Sequence, residues 1–259
     1  MRWVCPEEAI APEKNLVLKA LNLFREKTGF NSSLKIDLIK HIPSGAGLGG
    51  GSSDAASTLI ALNKLSKKAL SPDQLREMAL QLGSDVPFFL TGGAAFVSGR
   101  GELVTKISPP EGLFVVLVKP PFSSNTKTAF KLLDLAREEQ KLKNPPENVS
   151  KKTVSELILA LKSPPQTWPF FNDFSALFID MCNTLCPDNS ENADTYRLIL
   201  ETLRKKGASF AGLSGSGSCC FGVFEEEKTA KEAEKTLSKH GNYARSTIFL
   251  AQNANSVLE

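Results

Sequence analysis

Five glycines stand within eleven residues in the stretch "PSGAGLGGGSS", which runs from Pro43 to Ser53. Glycine loses more conformational freedom on folding than any other residue, so such a cluster is typical of backbone that turns tightly or approaches a ligand. An alternating stretch precedes the cluster, and a helix-like stretch, 53–67, follows it. The start of a helix leaves backbone N–H groups unpaired at the positive end of its dipole. The pattern therefore predicts an anion site, and phosphate is the anion that suits it best.

This stretch is called the glycine loop below. Its candidate phosphate-binding residues are Pro43, Ser44, Gly45, Ala46, Gly47, Leu48, Gly49, Gly50, Gly51, Ser52 and Ser53. The last two carry hydroxyls that suit a phosphate oxygen or a phosphate-bound Mg²⁺, and Ser53 is the candidate metal ligand. Asp54 is expected in the first turn of the following helix, where a negative charge is favourable. The alternative is an ordinary flexible loop.

Other glycine-rich phosphate binders do not match. The P-loop needs a lysine directly after its last glycine, and none follows here. Gly45, Gly47 and Gly50 satisfy the dinucleotide pattern G-x-G-x-x-G, but that fold needs a second strand after the helix. A second helix pattern stands there instead, at 71–83. The V-A-I-K, H-R-D and D-F-G motifs of protein kinases are missing from the sequence.

Three further places could do chemistry. Asp85 in "GSDVP" is a candidate catalytic carboxylate, although a turn aspartate that caps local N–H groups is the alternative. Gly215, Ser216 and Gly217 lie between two strand-like stretches and form either a tight turn or a binding loop. Thr126 precedes a helix pattern, where its residue type favours a helix cap.

Composition excludes several classes of function. The chain has 259 residues, 41% of them hydrophobic and 23% charged, and a net charge of +3. Its Lys and Arg residues form no long block, so we expect no nucleic-acid partner. The longest dense apolar run, 112–118, is too short to span a bilayer. We expect no secretory signal, because the start turns acidic at Glu7 without an apolar segment.

The cysteines indicate a reducing compartment. Their number is odd, and they lack the paired spacing of a zinc site; they are Cys5, Cys182, Cys186, Cys219 and Cys220. We expect reduced, buried thiols and a cytoplasmic location.

The periodicity of the apolar residues predicts a mixed α+β protein. Helices are predicted at 15–29, 53–67, 71–83, 126–138, 153–162, 174–185, 192–206 and 225–241. Strands are predicted at 33–42, 113–120 and 243–250, with two more inside 208–224. The stretch 84–104 is interpreted as a turn and short strands, 138–152 as a surface loop, and 106–112 as a domain joint.

Three stretches together resemble the motifs of the GHMP kinases, a family that includes galactokinase, homoserine kinase, mevalonate kinase and phosphomevalonate kinase. They are "PSGAGLGGGSSDAA" (43–56), "LGSDVPFFLTGGAAFVSGRGE" (82–102) and "AGLSGSGSCCFGVF" (211–224). The stretch 14–29 also matches the helix that precedes the family's phosphate loop. The resemblance implies the two-domain GHMP fold, with a ribosomal protein S5 domain 2-like N-terminal part and a ferredoxin-like C-terminal part. We expect these parts at 1–110 and 111–259.

The resemblance also implies an activity: transfer of the γ-phosphoryl group of ATP, with Mg²⁺, to an alcohol of a small molecule. Asp85 would serve as base or would orient the acceptor hydroxyl. Thr126 matches a substrate-side threonine, and Gly215–Gly217 would close beside the phosphate or the substrate. Asn172 and Asp173 match the start of an N-D-[LF]-E block with a structural role, although Ser175 stands where Glu is usual.

Two alternatives stay open. One is that the chain is a GHMP small-molecule kinase of the homoserine or mevalonate type. The other is a protein that binds nucleotide without turnover. One departure from the family pattern suggests this alternative. Family members carry a P-A-K-[IL]-N-L strand and a G-Y-H turn well before the 14–29 helix, and these supply a lysine that partners the aspartate.

Here Met1 precedes that helix by only about a dozen residues, and we interpret Lys14 as a solvated residue at the helix start. We therefore expect an incomplete N-terminal part, because the gene start is misplaced or the chain is a fragment. We also expect low activity of 1–259, restored by extension of the reading frame upstream.

Overall fold

The computed structural model describes residues 3–4, 11–66, 69–139, 152–180 and 190–250. The described residues form two compact units. The first contains those within Met1–Ser44 and Gly49–Ser108, together with Leu250, and the second contains Gly45–Leu48 and Pro109–Phe249. The expected division into domains at 1–110 and 111–259 stays a prediction.

Among the described residues, the first unit contains four α-helices and two small sheets. The helices are α1 (Leu16–Thr28), α2 (Gly50–Leu65), α3 (Pro72–Leu82) and α4 (Val86–Thr91). The parallel strands β1 (Trp3–Val4) and β2 (Ile36–Asp37) form one sheet, and the antiparallel strands β3 (Ala94–Ser98) and β4 (Leu103–Ile107) form the other. The four helices enclose one apolar core, whose largest fully buried side chains are Leu21, Phe24, Leu59, Leu75, Leu90 and Val86.

Local sequence explains where these helices begin and end. In α1 the buried residues Val17, Leu21 and Phe24 recur at helical spacing, which places one apolar face against the core. The helix ends at Gly29, whose left-handed backbone (φ 70°) suits glycine. Helix α3 begins with a capping box, in which Ser71 and Gln74 exchange side-chain-to-backbone hydrogen bonds.

The second unit is built on a four-stranded antiparallel sheet. Its strands are β5 (Phe114–Lys119), β6 (Phe210–Leu213), β7 (Cys220–Phe224) and β8 (Tyr243–Ile248), in the spatial order β6-β7-β5-β8. Its helices are α5 (Thr126–Glu138), α6 (Val154–Leu161), α7 (Ser190–Lys205) and α8 (Glu227–Ser238). A short helical turn, Asp173–Ser175, leads into a π-helical segment, Ala176–Asp180.

One face of this sheet carries the core of the second unit. Alternate residues of each strand point to the same face, and Val116, Val118 and Phe224 of β5 and β7 are fully buried there. They share a cluster with Leu203 of α7 and Leu237 of α8. Helices and sheets both contribute, and the α+β class predicted from the sequence is confirmed.

Three predicted elements differ from the structure. The predicted strand 33–42 is reduced to Ile36–Asp37 among the described residues. The stretch 84–104 contains a helix, α4, because Pro87 is favourable at a helix start and the apolar residues around it are buried. Glycine and proline in that stretch indicate a turn, and the short strands predicted there are present as β3 and the start of β4. Of the predicted helix 174–185, the described part is the helical turn and the π-helical segment, and 181–185 lies outside the described residues.

The start of α2 also corrects the sequence interpretation. The helix begins at Gly50 rather than at Ser53, because the glycines themselves adopt helical geometry after Gly49. Asp54 consequently lies in the second turn and not in the first.

The two cysteines that the structure describes are unpaired. Cys219 and Cys220 are both fully buried. Burial raises the pKa of the Cys219 thiol to about 12, and burial likewise raises the pKa of Cys220. Cys5, Cys182 and Cys186 lie outside the described residues.

Within the described ranges, each helix is too short or too polar to cross a membrane.

Helix α5 offers a matched test of the core of the second unit. Leu133 is 3% exposed, whereas Leu135 on the same helix is 53% exposed. Leu133→Ala should lower the free energy of unfolding by about 2–5 kcal/mol, because it leaves a cavity. Leu135→Ala should change it by less than about 0.5 kcal/mol. Chemical denaturation of both variants measures the difference, and equal effects would contradict the assigned core.

Candidate active site

The first turn of α2 presents unpaired backbone donors. The first amide with a helical partner is that of Ser53, which donates to the carbonyl of Gly49 at 2.9 Å. The amides of Gly50, Gly51 and Ser52 have no acceptor among the described residues, and Gly49 has no side chain to cap them. Three N–H groups and the positive end of the helix dipole therefore meet at one point, which is the arrangement that binds a phosphate.

Glycine is required where the loop enters this helix. Gly49 has a left-handed backbone with φ 67°, and a Cβ there would lie 2.7 Å from Cζ of Phe89 in α4. A Cβ at Gly50 would lie 3.0 Å from Cγ2 of Ile42. The first turn of α2 is thus closely packed on two sides, which holds its free amides in position.

The middle of the glycine loop is bound to the turn between β6 and β7. This turn, Ser214–Cys219, is called the serine–glycine turn below. The carbonyl of Ala46 accepts from the amide of Cys219 at 3.0 Å, and the carbonyl of Gly47 accepts from Oγ of Ser214 at 2.8 Å. The carbonyl of Gly45 accepts from the amide of Ser218 at 3.3 Å. Sequence motifs more than 160 residues apart therefore form one hydrogen-bonded structure in the second unit.

Gly47 is the point of closest approach. A Cβ on this residue would lie 2.2 Å from the carbonyl oxygen of Ser214 and 2.8 Å from that of Gly217. The backbone of Gly47 is left-handed as well, with φ 71°. Any side chain here must push the two backbones apart, since neither contact is with a side chain that could rotate away.

The candidate substrate-side residues also meet in the second unit. The hydroxyls of Thr126 and Ser216 lie 3.0 Å apart, and either can donate to the other. Thr126 is the first residue of α5 and does not cap it, because Asn125 accepts from the amide of Thr128 in that role. The helix-cap interpretation of Thr126 is therefore wrong. Its hydroxyl is joined to the serine–glycine turn instead.

Left-handed glycines flank Ser216 in that turn: Gly215 has φ 51° and Gly217 has φ 83°. Asn172 supports the turn from outside, because its amide donates to the carbonyls of Leu213 and Gly215 at 2.8 Å each. The neighbouring Asp173 pairs with Arg137. Both contacts support the structural role expected for Asn172 and Asp173.

Asp85 occupies the N-cap position of α4 without acting as a cap. Its side chain accepts no capping hydrogen bond, is exposed, and has no ion-pair partner among the described residues. The turn-aspartate alternative thus has no hydrogen bond to support it. Asp85 lies at the start of α4, and Phe89 of the same helix packs against Gly49. The carboxylate is therefore carried by the helix that contacts the glycine loop.

Asn15 is a polar residue that the sequence interpretation missed. It caps α1, where its Oδ1 accepts from the amide of Val17 at 2.9 Å. The side chain is only 3% exposed, and its Nδ2 has no acceptor among the described residues. The next residue, Leu16, lies 3.5 Å from the position of a Cβ on Gly51 in the first turn of α2. An unpaired buried amide costs about 1–3 kcal/mol, so Nδ2 is a donor whose hydrogen-bonding capacity is not met among the described residues.

Lys40 is the second residue that was missed. Its ammonium group donates to the carboxylate of Asp54 in α2, and the two side chains are 16% and 28% exposed. The alternating sequence around Lys40 predicts a strand, and only the fold brings the ammonium group of Lys40 to α2.

Metal-binding side chains do not cluster in the described part of the chain: no three His, Cys, Asp or Glu residues are grouped to hold an ion.

Comparison with known families agrees with this arrangement. The profile described as "GHMP kinases N terminal domain" matches residues 15–93, and the profile described as "GHMP kinases C terminal" matches residues 178–242. The chain belongs to the GHMP kinase family, whose members use ATP to phosphorylate small molecules.

Individual relatives are more specific. The chain is 32% identical over 244 residues to the 4-diphosphocytidyl-2-C-methyl-D-erythritol kinase of Clostridium perfringens, which covers 94% of this chain and 78% of that one. It is 36% identical over 214 residues to the enzyme of the same name from Geobacillus thermodenitrificans, covering 83% of this chain and 67% of that one.

Solved structures show the same fold. A crystal structure of 4-(cytidine 5'-diphospho)-2C-methyl-D-erythritol kinase matches with a TM-score of 0.69 and 28% identity, over 95% of this chain and 81% of that one. The mevalonate kinase of Methanococcus jannaschii matches with a TM-score of 0.62 over 93% of this chain and 78% of that one. At 16% identity the latter likeness concerns the fold alone.

Gly47 gives a matched test of the contact between the glycine loop and the serine–glycine turn. Gly47→Ala should weaken ATP binding by about tenfold or more, because its Cβ displaces two backbones. Gly112→Ala is the control, since Gly112 has a similar φ of 68° with nothing within 4 Å of its Cβ position. Calorimetric titration with ATP measures both variants, and equal affinities would show that the contact has no role in binding.

Proposed function

We propose that this protein transfers the γ-phosphoryl group of ATP to the 2-hydroxyl of 4-diphosphocytidyl-2-C-methyl-D-erythritol, a step of isoprenoid-precursor biosynthesis. The observation that carries the proposal is the set of three unpaired amides at the start of α2. The acceptor is inferred from the relatives at 32–36% identity that bear this enzyme's name. The combination of "GLGGGSS" at 48–53 with "GSDVPFF" at 83–89 also resembles this member of the family more than the others.

Phosphoryl transfer requires alignment and charge neutralisation more than covalent help from the protein. The amides of Gly50, Gly51 and Ser52 bind oxygens of the triphosphate, and Gly45–Leu48 shape the backbone that precedes them. The hydroxyl of Ser53 fits a phosphate-bound Mg²⁺, since it makes no hydrogen bond among the described residues. Mg²⁺ commonly keeps several waters and substrate phosphates as ligands, so it does not need a cluster of three protein carboxylates, and the described residues contain none. Bound there, Mg²⁺ supplies positive charge that offsets the phosphates.

Asp85 acts on the acceptor hydroxyl. Its exposed carboxylate has no partner among the described residues and can accept the proton of that hydroxyl or orient it.

Asn15 contributes to binding of the nucleotide. Its buried Nδ2 is an unsatisfied donor whose neighbour Leu16 lies against the start of α2. An acceptor atom of the nucleotide satisfies it and removes the cost of burying it unpaired.

The serine–glycine turn serves the phosphate or the acceptor. The joined hydroxyls of Thr126 and Ser216 are the polar groups we assign to it, and Gly215 and Gly217 provide the tight backbone. We also infer that 1–110 and 111–259 are the ATP-binding and C-terminal domains, with the break between the compact units at Ser108–Pro109 in support.

The acceptor is tested with a panel of substrates. The purified protein is incubated with Mg²⁺ and ATP labelled in the γ-phosphate, together with 4-diphosphocytidyl-2-C-methyl-D-erythritol, homoserine or mevalonate. We expect label in the first product, with kcat/KM at least about a hundredfold above the other two, because an unpaired polar group in a substrate site is strongly penalised. Transfer to homoserine or mevalonate would establish another GHMP activity. ATP binding without any transfer would favour a nucleotide-binding protein.

The role of Asp85 is tested by Asp85→Asn. This change keeps the shape of the side chain and removes its basicity, so kcat should fall by about 10²–10⁴-fold while ATP affinity is preserved. Asp134→Asn is the control, because Asp134 is also an exposed carboxylate with no partner among the described residues. Steady-state kinetics measure both, and a decrease of less than about tenfold for Asp85→Asn would argue against action at the hydroxyl.

A further inference from the structure

We propose that Lys40, held in place by Asp54, is a phosphate-binding cation at the start of α2. This inference rests on the proposed function, because it assumes that the first turn of α2 binds the triphosphate. It adds to the site a residue that lies outside the glycine loop in sequence.

The position of the ammonium group is the first argument. Nζ of Lys40 lies 3.6 Å from the position of a Cβ on Gly50, the first residue of α2. Gly50 carries one of the three unpaired amides. The ammonium group is therefore beside the donors that we propose receive the phosphate.

The direction of the ion pair is the second argument. Asp54 follows Gly50 by four residues and so lies one turn further along the same face of α2. The ammonium group of Lys40 contacts both positions. The positive end of the pair therefore points toward the helix start and the negative end points away from it. The dipole of the ion pair is therefore parallel to the helix dipole, and both contribute positive potential at the start of α2.

The unused donors of Lys40 are the third argument. An ammonium group has three N–H bonds, and the carboxylate of Asp54 is the one acceptor that Lys40 has among the described residues. Two donors are left for phosphate oxygens. The side chain is only 16% exposed, so its charge is weakly screened by solvent.

Asp54 is a positioning residue in this arrangement. A lysine side chain loses considerable rotamer freedom when it is fixed, and an anchor fixes it before the ligand arrives.

A P-loop has its lysine directly after the last glycine. In this chain the lysine precedes the glycines by five residues in sequence and reaches the helix start through the fold.

The test is Lys40→Met, which keeps the length of the side chain and removes its charge. The KM for ATP and the dissociation constant for ATP should rise roughly 10- to 100-fold, the effect of losing a charge-assisted hydrogen bond. Binding of adenosine, which has no phosphate, should be unchanged. Lys40→Arg should recover most of the ATP affinity. Lys64→Met is the control, because Lys64 is an exposed lysine in the last turn of the same helix.

Variants of Asp54 separate the proposal from two simpler roles. Asp54→Asn should raise the dissociation constant for ATP less than Lys40→Met does, since the charge stays and only its anchor is lost. The Lys40→Met/Asp54→Asn double variant should stay clearly weaker than wild type. Full recovery in the double variant would show that Lys40 only cancels the charge of Asp54, and would overturn the proposal. A loss of thermal stability in Lys40→Met with unchanged ATP affinity would also overturn it, since it would indicate a purely structural pair.

Failure of this inference can be told apart from failure of the proposed function. The titrations with ATP and adenosine need no acceptor, so they remain decisive if the protein phosphorylates a different alcohol. Wild-type protein that binds adenosine and ATP equally would place no phosphate at α2 and would overturn both. Wild-type protein that binds ATP through its phosphates, with Lys40→Met unaffected, would overturn the role of Lys40 alone.

Discussion

The candidate site depends on one constraint, which is that the backbone at Gly47 carries no side chain. Gly47 comes so close to Ser214 and Gly217 that a single added carbon would overlap two carbonyl oxygens. That approach lets the carbonyls of Gly45, Ala46 and Gly47 accept hydrogen bonds from the serine–glycine turn. These hydrogen bonds fix the backbone of Gly45–Gly47, which leads in sequence to the unpaired amides at the start of α2. The entropy cost of the glycines is offset by this geometry, which other residues cannot adopt.

Much of the fold could be predicted from sequence, because its signals are local. The apolar spacing in α1, the Ser71–Gln74 capping box and the glycines around the β6–β7 turn each specify structure within a few residues. The errors also have local causes. Helix α4 is short and begins within a Gly- and Pro-containing stretch, whose strongest local signal is a turn. The sequence does not predict the early start of α2, because glycine is a poor helix former. In the structure Phe89 packs closely against Gly49 and Ile42 against Gly50.

The parts of the site that sequence did not reveal depend on pairings across the chain. The glycine loop and Asp85 belong to motifs and can be recognised in a linear string. Nothing local distinguishes Lys40 from any lysine on a strand-like stretch, since its partner Asp54 is 14 residues away. Asn15 has the expected type for a helix cap, and the cap is real. Asn15 is informative because its Nδ2 donor stays unsatisfied after the cap has formed. The sequence does not show that this atom is buried, and only the structure does.

The hydrogen bond from Ser214 to Gly47 has a consequence for biosynthesis. It joins residues 167 positions apart, and contacts of such long range form late, after large loops have closed. A ribosome releases the glycine loop early in translation, yet the residues that immobilise its middle are among the last fifth or so of the polypeptide to be made. In the nascent protein the middle of the glycine loop consequently lacks its hydrogen-bond partners for most of synthesis. These hydrogen bonds form only when the turn between β6 and β7 has been translated and folded.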